Sequence, residues 1–258
     1  MKALMLAAGL ARRLYGDENA ELPKALLAFE GESLLHRHIE ALRSCGVDEL
    51  HLVVGHRSDD LLAEADRIAP AGFVKSIFNP RYREGPILSV ACGGDVMRSG
   101  DSVIFMDADV LYHPDILRRL VRSAHRNCFV FDREFQSTDD FVKVCLKDEV
   151  VVDFGKKLTR AYDTICEWPG FMKMSPEIAA MVADNADEII ASGEIEGAYE
   201  RAMCAALYSE PMGTFGYEDI TGVPWVEIDY ESDLRKAATQ VIPRIAEFGE
   251  NPDVSKAG

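Results

Sequence analysis

The chain has 258 residues, of which 48% are hydrophobic and 28% charged, and its formal net charge is −16 at pH 7. A chain of this length can bury the core of one large domain. The acidic balance argues against nucleic acid and anionic membranes as partners, because both require a basic surface. A polyanionic substrate would therefore have to meet a few cations concentrated in one place.

The six cysteines are scattered and form no C-x-x-C pair, so we expect reduced core residues. The apolar stretch at the amino terminus is short, and Arg12 and Arg13 follow it where a signal peptide would carry small residues. No run approaches the roughly 20 apolar residues that a membrane span needs. We therefore expect a soluble cytoplasmic protein without a membrane partner.

The first half of the chain alternates predicted strands and helices. Buried parallel strands are continuous apolar runs, whereas helices repeat apolar residues every three to four positions. The alternation predicts right-handed crossovers and a Rossmann-like three-layer α/β/α fold with a mostly parallel sheet. The predicted strands are Lys2–Ala7, Glu49–Val54, Phe73–Phe78 and Ser102–Met106, and the predicted helices are Ser33–Cys45, Asp59–Ala69, Ile87–Met97 and Pro114–Ser123.

The pattern changes after Cys128, where shorter strands indicate an antiparallel or mixed region. No linker rich in Pro, Gly or Ser divides the chain, so we expect a single domain over residues 1–248 and a flexible tail over 249–258. The predicted strands of this half are Phe129–Phe131, Val142–Leu146, Val150–Phe154 and Trp225–Ile228, and the predicted helices are Pro176–Ser192, Ile195–Tyr208 and Ser232–Glu247.

The first candidate site follows the first predicted strand. Ligands of open parallel sheets lie beyond the carboxyl ends of the strands. Small residues at 7–9 let the backbone approach a flat ring or a phosphate, and Arg12, Arg13 and Lys24 supply local cations. A plain strand-turn with surface arginines is the alternative interpretation of this segment taken alone.

The second candidate site is the pair Asp107 and Asp109, just past the strand that ends at Met106. Two carboxylates at this spacing are costly to bury unless they are solvated or coordinate a cation. They could hold Mg²⁺ that bridges phosphate oxygens. A turn that caps the helix near Pro114 is the alternative.

Taken together, these segments resemble a known enzyme family. LMLAAGLARRL and LPKALLAFEGESLLHRHIEAL resemble the opening of the nucleotidyltransferases that make sugar nucleotides and CDP-activated headgroups. The resemblance continues through GVDELHLVVGH, SIFNPRYREGPILSV and VIFMDADVLYHPDIL. Near the end of the chain, VPWVEIDYESDLRKA resembles the late strand that supplies a second metal-binding aspartate.

The resemblance implies a nucleotide-diphospho-sugar-transferase-like fold with a mixed sheet and a small antiparallel acceptor-binding insertion. Within it, residues 1–127 would mainly bind the nucleotide and residues 128–222 would mainly bind the acceptor. Residues 223–248 would supply the second metal aspartate and the C-terminal helix.

The resemblance also implies roles for individual residues. Arg13 would bind the NTP phosphates, and Lys24 would bind phosphate and neutralise charge in the transition state. Asp109 and Asp229 would bind Mg²⁺, the implied cofactor. The other implied nucleotide contacts are Leu6, Ala7, Ala8, Gly9, Arg12, Gly85, Ser89 and Asp107.

Two positions depart from the family pattern. Ala11 stands where close relatives often carry a second glycine, which leaves open the shape of the phosphate loop. It also leaves open whether Arg12 or Arg13 makes the main phosphate contact. Pro86 stands where relatives often carry asparagine, which would remove a side-chain contact to the nucleotide.

Within the family, the chain looks most like the subgroup that uses CTP to activate small phosphoesters or phosphonates, such as phosphocholine or 2-aminoethylphosphonate. In that subgroup, the middle of the chain builds the acceptor pocket. Lys156 could bind the attacking oxygen, while Glu167 and Trp168 could recognise an ammonium group. Tyr199 and Glu200 are further candidates; a core aromatic and an ordinary amphipathic helix are the alternatives for Trp168 and for Tyr199–Glu200.

Other functions stay open at this stage. A sugar-1-phosphate or molybdenum-cofactor-type nucleotidyltransferase would share the fold and the metal site. A non-catalytic nucleotide-binding subunit would share the fold but have no need of the metal pair. A dinucleotide-dependent dehydrogenase is excluded, because no G-x-G-x-x-G follows the first strand. We therefore expect a Mg²⁺-dependent cytidylyltransferase with small-molecule substrates, and we leave a homodimer open.

Overall fold

The computed structural model describes residues 1–16, 21–135, 141–195 and 199–250. Residues 251–258 of the predicted tail and residues 196–198 of the predicted helix Ile195–Tyr208 lie outside these ranges. The strands are β1 (Lys2–Leu6), β2 (Ala28–Phe29), β3 (Glu32–Ser33), β4 (Glu49–Val54), β5 (Val74–Phe78), β6 (Val103–Asp107), β7 (Val110–Tyr112), β8 (Cys128–Phe131), β9 (Lys143–Lys147), β10 (Val150–Gly155), β11 (Thr164–Glu167), β12 (Phe171–Met174), β13 (Gly216–Asp219) and β14 (Trp225–Glu227).

The α-helices alternate with these strands in the first half and cluster in the second. A 3₁₀ turn over Lys24–Leu26 precedes β2, and a π-helical turn over Ala237–Val241 joins the last two helices. The helices are α1 (Arg12–Tyr15), α2 (Leu34–Ser44), α3 (Ser58–Ile68), α4 (Ile87–Cys92), α5 (Gly94–Met97), α6 (Asp115–Arg122), α7 (Pro176–Ala191), α8 (Glu200–Ser209), α9 (Glu231–Lys236) and α10 (Ile242–Glu250).

A seven-stranded sheet in the order β13-β8-β12-β6-β1-β4-β5 forms the centre of the molecule. Its strands β6, β1, β4 and β5 are parallel, and β12 runs antiparallel to both of its neighbours. Successive residues of β1 face opposite sides: Leu4 joins the core under α7 and α8, while Ala3 and Met5 join the core under α2, α3 and α6. The predicted mostly parallel mixed sheet between two helical layers is confirmed.

Smaller antiparallel pairings complete the fold. Strands β10, β9 and β11 form a three-stranded sheet, and β14 pairs with β7. The three-stranded sheet lies in the region where the sequence predicted a small antiparallel insertion. In the ranges that the structure describes, no helix is long and apolar enough to cross a membrane.

The predicted continuous helix Ile87–Met97 is wrong, because the chain forms two short helices that meet at Gly93. A Cβ atom at this position would lie 2.5 Å from a methyl carbon of Leu4. Gly93 therefore lets the backbone approach β1 closely, and the helix is interrupted where that approach occurs. Six strands were not predicted: β2, β3, β7, β11, β12 and β13.

Candidate active site

A cavity of about 710 Å³ opens where β1, β5 and β6 end. Parallel strands direct their carboxyl ends to one edge of the sheet, where ligands of such sheets bind. Every predicted site residue except Glu167 contributes to its lining. These residues are Leu6, Ala7, Ala8, Gly9, Arg12, Arg13, Lys24, Gly85, Ser89, Asp107, Asp109, Lys156, Trp168, Tyr199, Glu200 and Asp229.

Backbone pairing between β7 and β14 brings two distant aspartates together. Val110 pairs with Glu227, and the amide of Ile228 donates to the carbonyl of Asp109 at 2.9 Å. As a result, carboxylate oxygens of Asp109, Glu227 and Asp229 all lie within 4.8 Å of one another. A hard divalent cation prefers such oxygen ligands.

Two side-chain cations form ion pairs with the carboxylates of Asp109 and Asp229. The Nζ atom of Lys24 lies 3.0 Å from Oδ2 of Asp109 and 2.6 Å from Oδ1 of Asp229. Arg13 contacts the other oxygen of Asp229 at 2.8 Å. Burial opposes the charge of Lys24, yet the two aspartates overcome it and hold its pKa above the ordinary lysine value. A cation thus already lies between the two predicted metal ligands, so the residues fit a positively charged group at that position.

Asp107 faces away from this group, toward β12 and α8. The hydroxyl of Tyr199 donates to Oδ2 of Asp107 at 2.5 Å, and the amide of Asp107 donates to the carbonyl of Gly170. Gly170 has a φ of +90°, and a Cβ atom there would lie 2.7 Å from the Asp107 carboxylate. Burial, together with the charge of Asp109, raises the pKa of Asp107 well above its usual value. Asp107 and Asp109 therefore occupy different environments.

A similar shift marks Glu227, which the sequence analysis did not select. Burial and the neighbouring charges of Asp109 and Asp229 raise the pKa of Glu227 well above its usual value. Glu227 and Asp229 are two residues apart at the end of β14, a spacing that directs extended-chain side chains to the same side. That spacing in EIDY was the signal that could have identified Glu227.

His38 contacts the short turn between Asp107 and Asp109. Its Nε2 and the carbonyl oxygen of Ala108 are 3.3 Å apart, and its Nδ1 is 3.3 Å from the Tyr112 hydroxyl. Complete burial lowers the pKa of His38 to about 4. The imidazole is therefore neutral near pH 7 and supports the turn without adding charge to the site.

Ala11 immediately precedes α1 and lies in the left-handed region, with φ 54° and ψ 34°. A residue other than glycine pays about 1–2 kcal/mol for this conformation. Glycine would adopt this conformation without that strain. Arg12 and Arg13 follow directly and both line the cavity.

The segment after β5 forms the opposite wall of the cavity. The buried amide of Asn79 donates to Ser89 Oγ at 3.0 Å, which joins the two ends of this segment. Between them, Tyr82 and Arg83 line the cavity, and the guanidinium of Arg83 lies 5.1 Å from the centroid of the Tyr82 ring. Sequence analysis missed both residues, although the cations of NPRYRE following a strand end could have indicated them.

The remaining wall contains most of the predicted acceptor residues. Trp168 is 3% exposed, and its indole nitrogen donates to the carbonyl of Phe171 at 2.8 Å. The Trp168 ring lies edge-on to Tyr199, with ring centroids 6.4 Å apart. Trp168 is thus both a core aromatic and part of the lining, together with Lys156 and Glu200.

Glu167 is the predicted site residue that lies outside the lining. Neighbouring residues of extended chain face opposite sides, so Glu167 faces away when Trp168 faces the cavity. Its backbone pairs with that of Asp132 beyond the end of β8. Burial raises the pKa of Glu167 to about 7, with Lys236 opposing the shift and Asp132 adding to it.

Comparison with known proteins assigns the chain to a family. The model of the family described as MobA-like NTP transferase domain matches residues 3–159. The chain is similar to CTP:phosphoglutamine cytidylyltransferase of Campylobacter jejuni, with 24% identity over 91% of this chain and 98% of that protein. It is also similar to CMP-5'-(3-aminopropyl)phosphonate synthase of Streptomyces rubellomurinus, with 24% identity over 94% of this chain and 39% of that protein.

The fold also matches a solved structure. The CTP:phosphocholine cytidylyltransferase of Streptococcus pneumoniae superposes with a TM-score of 0.72 at 21% identity, covering 92% of this chain and 97% of that one. The two proteins therefore share the fold. The chain has nucleotidyltransferases as relatives over most of its length.

The left-handed conformation of Ala11 gives a prediction about stability. Ala11→Gly should raise the free energy of unfolding by up to about 1 kcal/mol, because the relief of strain exceeds the added freedom of the unfolded chain. Ala180→Gly, inside α7, is the control and should lower it by about 0.5–1 kcal/mol. Denaturant unfolding measures both, and a loss of stability in Ala11→Gly would contradict the assigned conformation.

The raised pKa of Glu167 predicts a pH-dependent stability. The folded protein holds this proton more tightly than the unfolded chain, so stability is lost as the pH rises from the ordinary glutamate pKa through about 7. Glu167→Gln removes that loss and should stabilise the protein by about 1–2 kcal/mol near pH 8.5. The same variant near pH 5 is the control, where the gain should be small. An equal gain at both pH values would show that ionisation is not its cause.

Proposed function

Because the chain belongs to the MobA-like NTP transferase family, we propose that it transfers CMP from CTP to a small phosphorylated or phosphonate acceptor with the help of Mg²⁺. Transfer of a nucleotidyl group is the reaction class of the family, whereas the choice of CTP, acceptor and metal is our proposal. One observation carries it: Asp109, Glu227 and Asp229 meet Arg13 and Lys24 on one wall of a cavity at the carboxyl ends of the strands.

Asp109 and Asp229, with Glu227 beside them, are the residues that would hold Mg²⁺. When bound, the metal would supply Lewis-acid stabilisation of charge on phosphate oxygens. Lys24 and Arg13 already lie at these carboxylates, so the phosphates of an incoming nucleotide would meet both side chains there. Charge-assisted hydrogen bonds from them would hold the phosphates and offset negative charge on the leaving pyrophosphate.

The reaction needs no covalent intermediate. An acceptor oxygen, already anionic near neutral pH, would form the bond to the α-phosphorus of CTP. The bond from that phosphorus to the bridging oxygen of the β-phosphate would break, and pyrophosphate would leave with the electron pair. The task of the protein is to hold the attacking and leaving oxygens in line and to stabilise the charge.

Several features favour CTP as the nucleotide. Ala8 and Gly9 line the cavity, and a Cβ atom at Gly9 would have no neighbour within 4 Å, so a ligand can approach the backbone of this turn. Gly85 and Ser89 line the facing wall, where they would flank the base and ribose. Similarity to the Campylobacter jejuni cytidylyltransferase, which is named for CTP, and to the Streptomyces rubellomurinus synthase, which is named for a CMP product, supports the same choice.

The acceptor side favours a small molecule that carries an amino or ammonium group. Lys156 would meet its phosphate or phosphonate, as a cation in the cavity lining. Glu200, 6% exposed, would meet the opposite end beside the rings of Trp168 and Tyr199. Glu167, outside the lining, has no direct part in this proposal.

A substrate panel tests the choice of nucleotide and acceptor. We expect pyrophosphate release to be fastest with CTP and with phosphocholine or 2-aminoethylphosphonate, because a purine would crowd the turn at Ala8 and Gly9. Inositol phosphate and hexose 1-phosphates, which lack an ammonium group, are the comparison acceptors. Turnover with ATP or GTP equal to that with CTP would contradict the nucleotide choice, and preference for a hexose 1-phosphate would contradict the acceptor class.

Removal of the metal or its ligands tests the reaction chemistry. Asp109→Asn and Asp229→Asn should each lower turnover by at least about 100-fold, and EDTA should have the same effect on the wild type. Each variant should also lose some stability, because Lys24 loses one of its two carboxylate partners. Asp48→Asn, at an exposed carboxylate that pairs with the chain terminus, is the control and should retain activity. Full turnover in EDTA would exclude the metal.

A further inference from the structure

The turn that carries Lys156 closes on a buried carboxylate. Asp153, in β10, is 0% exposed. Its Oδ2 accepts hydrogen bonds from the backbone amides of Thr159 at 2.7 Å and Arg160 at 2.8 Å. Gly155, with a φ of +125°, lets the chain reverse after β10. The carboxylate therefore fixes both ends of a turn in which Lys156 is the second residue and lines the cavity.

The same carboxylate also binds α8, the helix that begins at Glu200. Its Oδ1 accepts from the hydroxyl of Tyr208, in the last turns of α8, and from the amide of Phe154 at 2.8 Å. The Tyr208 hydroxyl is also 2.8 Å from Oγ1 of Thr159. Helix α8 begins at Glu200, which lines the cavity together with Tyr199. One carboxylate thus connects two segments that face the acceptor.

Arg160 makes a second contact between the Lys156 turn and α8. The guanidinium of Arg160 lies 3.8 Å from the centroid of the Tyr208 ring, and it donates to the carbonyl of Val152 at 3.3 Å. The pairing of β10 with β9 shifts register between Val151 and Asp153. A bulge of this kind re-aims the side chain that follows it.

Asp153 is a buried carboxylate whose hydrogen bonds come from the two segments that it connects. A buried carboxylate is costly unless it is fully hydrogen-bonded. Burial acts to raise the pKa of Asp153, yet the amides of Arg160, Thr159 and Phe154 and the Tyr208 hydroxyl hold it below the ordinary value. Because the carboxylate stays charged, it binds these donors more strongly than a neutral side chain would.

We propose that Asp153 is a positioning residue for the acceptor, which holds the Lys156 turn against α8 and so fixes Lys156 relative to Tyr199 and Glu200. This inference rests on the proposed function, because it assumes that Lys156 meets the acceptor. Loosening the turn should weaken acceptor binding. It should leave CTP binding intact, because the residues proposed for the nucleotide lie outside β10, the Lys156 turn and α8.

Asp153→Asn and Tyr208→Phe test this role by steady-state kinetics. The asparagine keeps the volume, but its amide nitrogen cannot accept a hydrogen bond, so either the amides of Thr159 and Arg160 or the amide of Phe154 loses its acceptor. With CTP and the better of phosphocholine and 2-aminoethylphosphonate, we expect Asp153→Asn to raise the acceptor KM at least tenfold and to leave the CTP KM within twofold. Tyr208→Phe removes one donor and should raise the acceptor KM less, again without changing the CTP KM.

A double-mutant cycle separates positioning from a general loss of structure. If Asp153 acts through Lys156, the acceptor KM of Asp153→Asn combined with Lys156→Ala should be no higher than that of Lys156→Ala alone. Asp219→Asn is the matched control: this carboxylate accepts from the Thr221 amide at 2.9 Å and from Arg133, at the far edge of the sheet. It should lower the melting temperature and leave both KM values unchanged.

The outcomes are distinguishable. An unchanged acceptor KM in folded Asp153→Asn, multiplicative effects in the double variant, or equal increases in both KM values would overturn the role of Asp153 while the proposed function stands. Should Asp153→Asn fail to fold, Tyr208→Phe decides in the same way. A wild-type enzyme that turns over neither acceptor with CTP would overturn the proposed function and, with it, the role of Asp153.

Discussion

Three carboxylates converge where β7 and β14 pair, and like charges this close repel one another unless a cation lies between them. The ammonium of Lys24 bridges Asp109 and Asp229 and supplies that cation within the chain. Sequence position alone does not bring the aspartates together; the hydrogen bond from Ile228 to Asp109 does. The β7–β14 pairing, the carboxylates of Asp109 and Asp229 and the ammonium of Lys24 therefore form one interdependent unit.

The same concentration of charge would let a chain with a net charge of −16 bind the polyanion of the proposed reaction. Its cavity concentrates five cationic side chains, and the acidic groups among them differ in environment. Asp107 is buried against Tyr199, while Asp109 faces Lys24. The five cations are Arg12, Arg13, Lys24, Arg83 and Lys156.

The part of the cavity proposed for the nucleotide could be located from the sequence because its residues lie at or directly after strand ends. Residues 7–9 and 107–109 are such segments, and the sequence locates them without knowledge of tertiary contacts. In the part proposed for the acceptor, the lining depends on which of two adjacent residues of extended chain faces the cavity and on pairing between distant strands. Because β11 was not predicted, the sequence alone did not show whether Glu167 or Trp168 faces inward. The carboxylate of Asp153 connects the turn that follows it to Tyr208 of α8, which lies 55 residues further along the chain. No local sequence pattern marks a contact at that separation.

The most direct test of the central unit is a crystal structure with CTP and Mg²⁺ bound. Carboxylate oxygens of Asp109 and Asp229 should then lie about 2.0–2.1 Å from one metal ion. The ammonium of Lys24 should have left its position between the two aspartates for a phosphate oxygen. A structure in which Lys24 still bridges Asp109 and Asp229, with the metal bound elsewhere, would contradict the assignment.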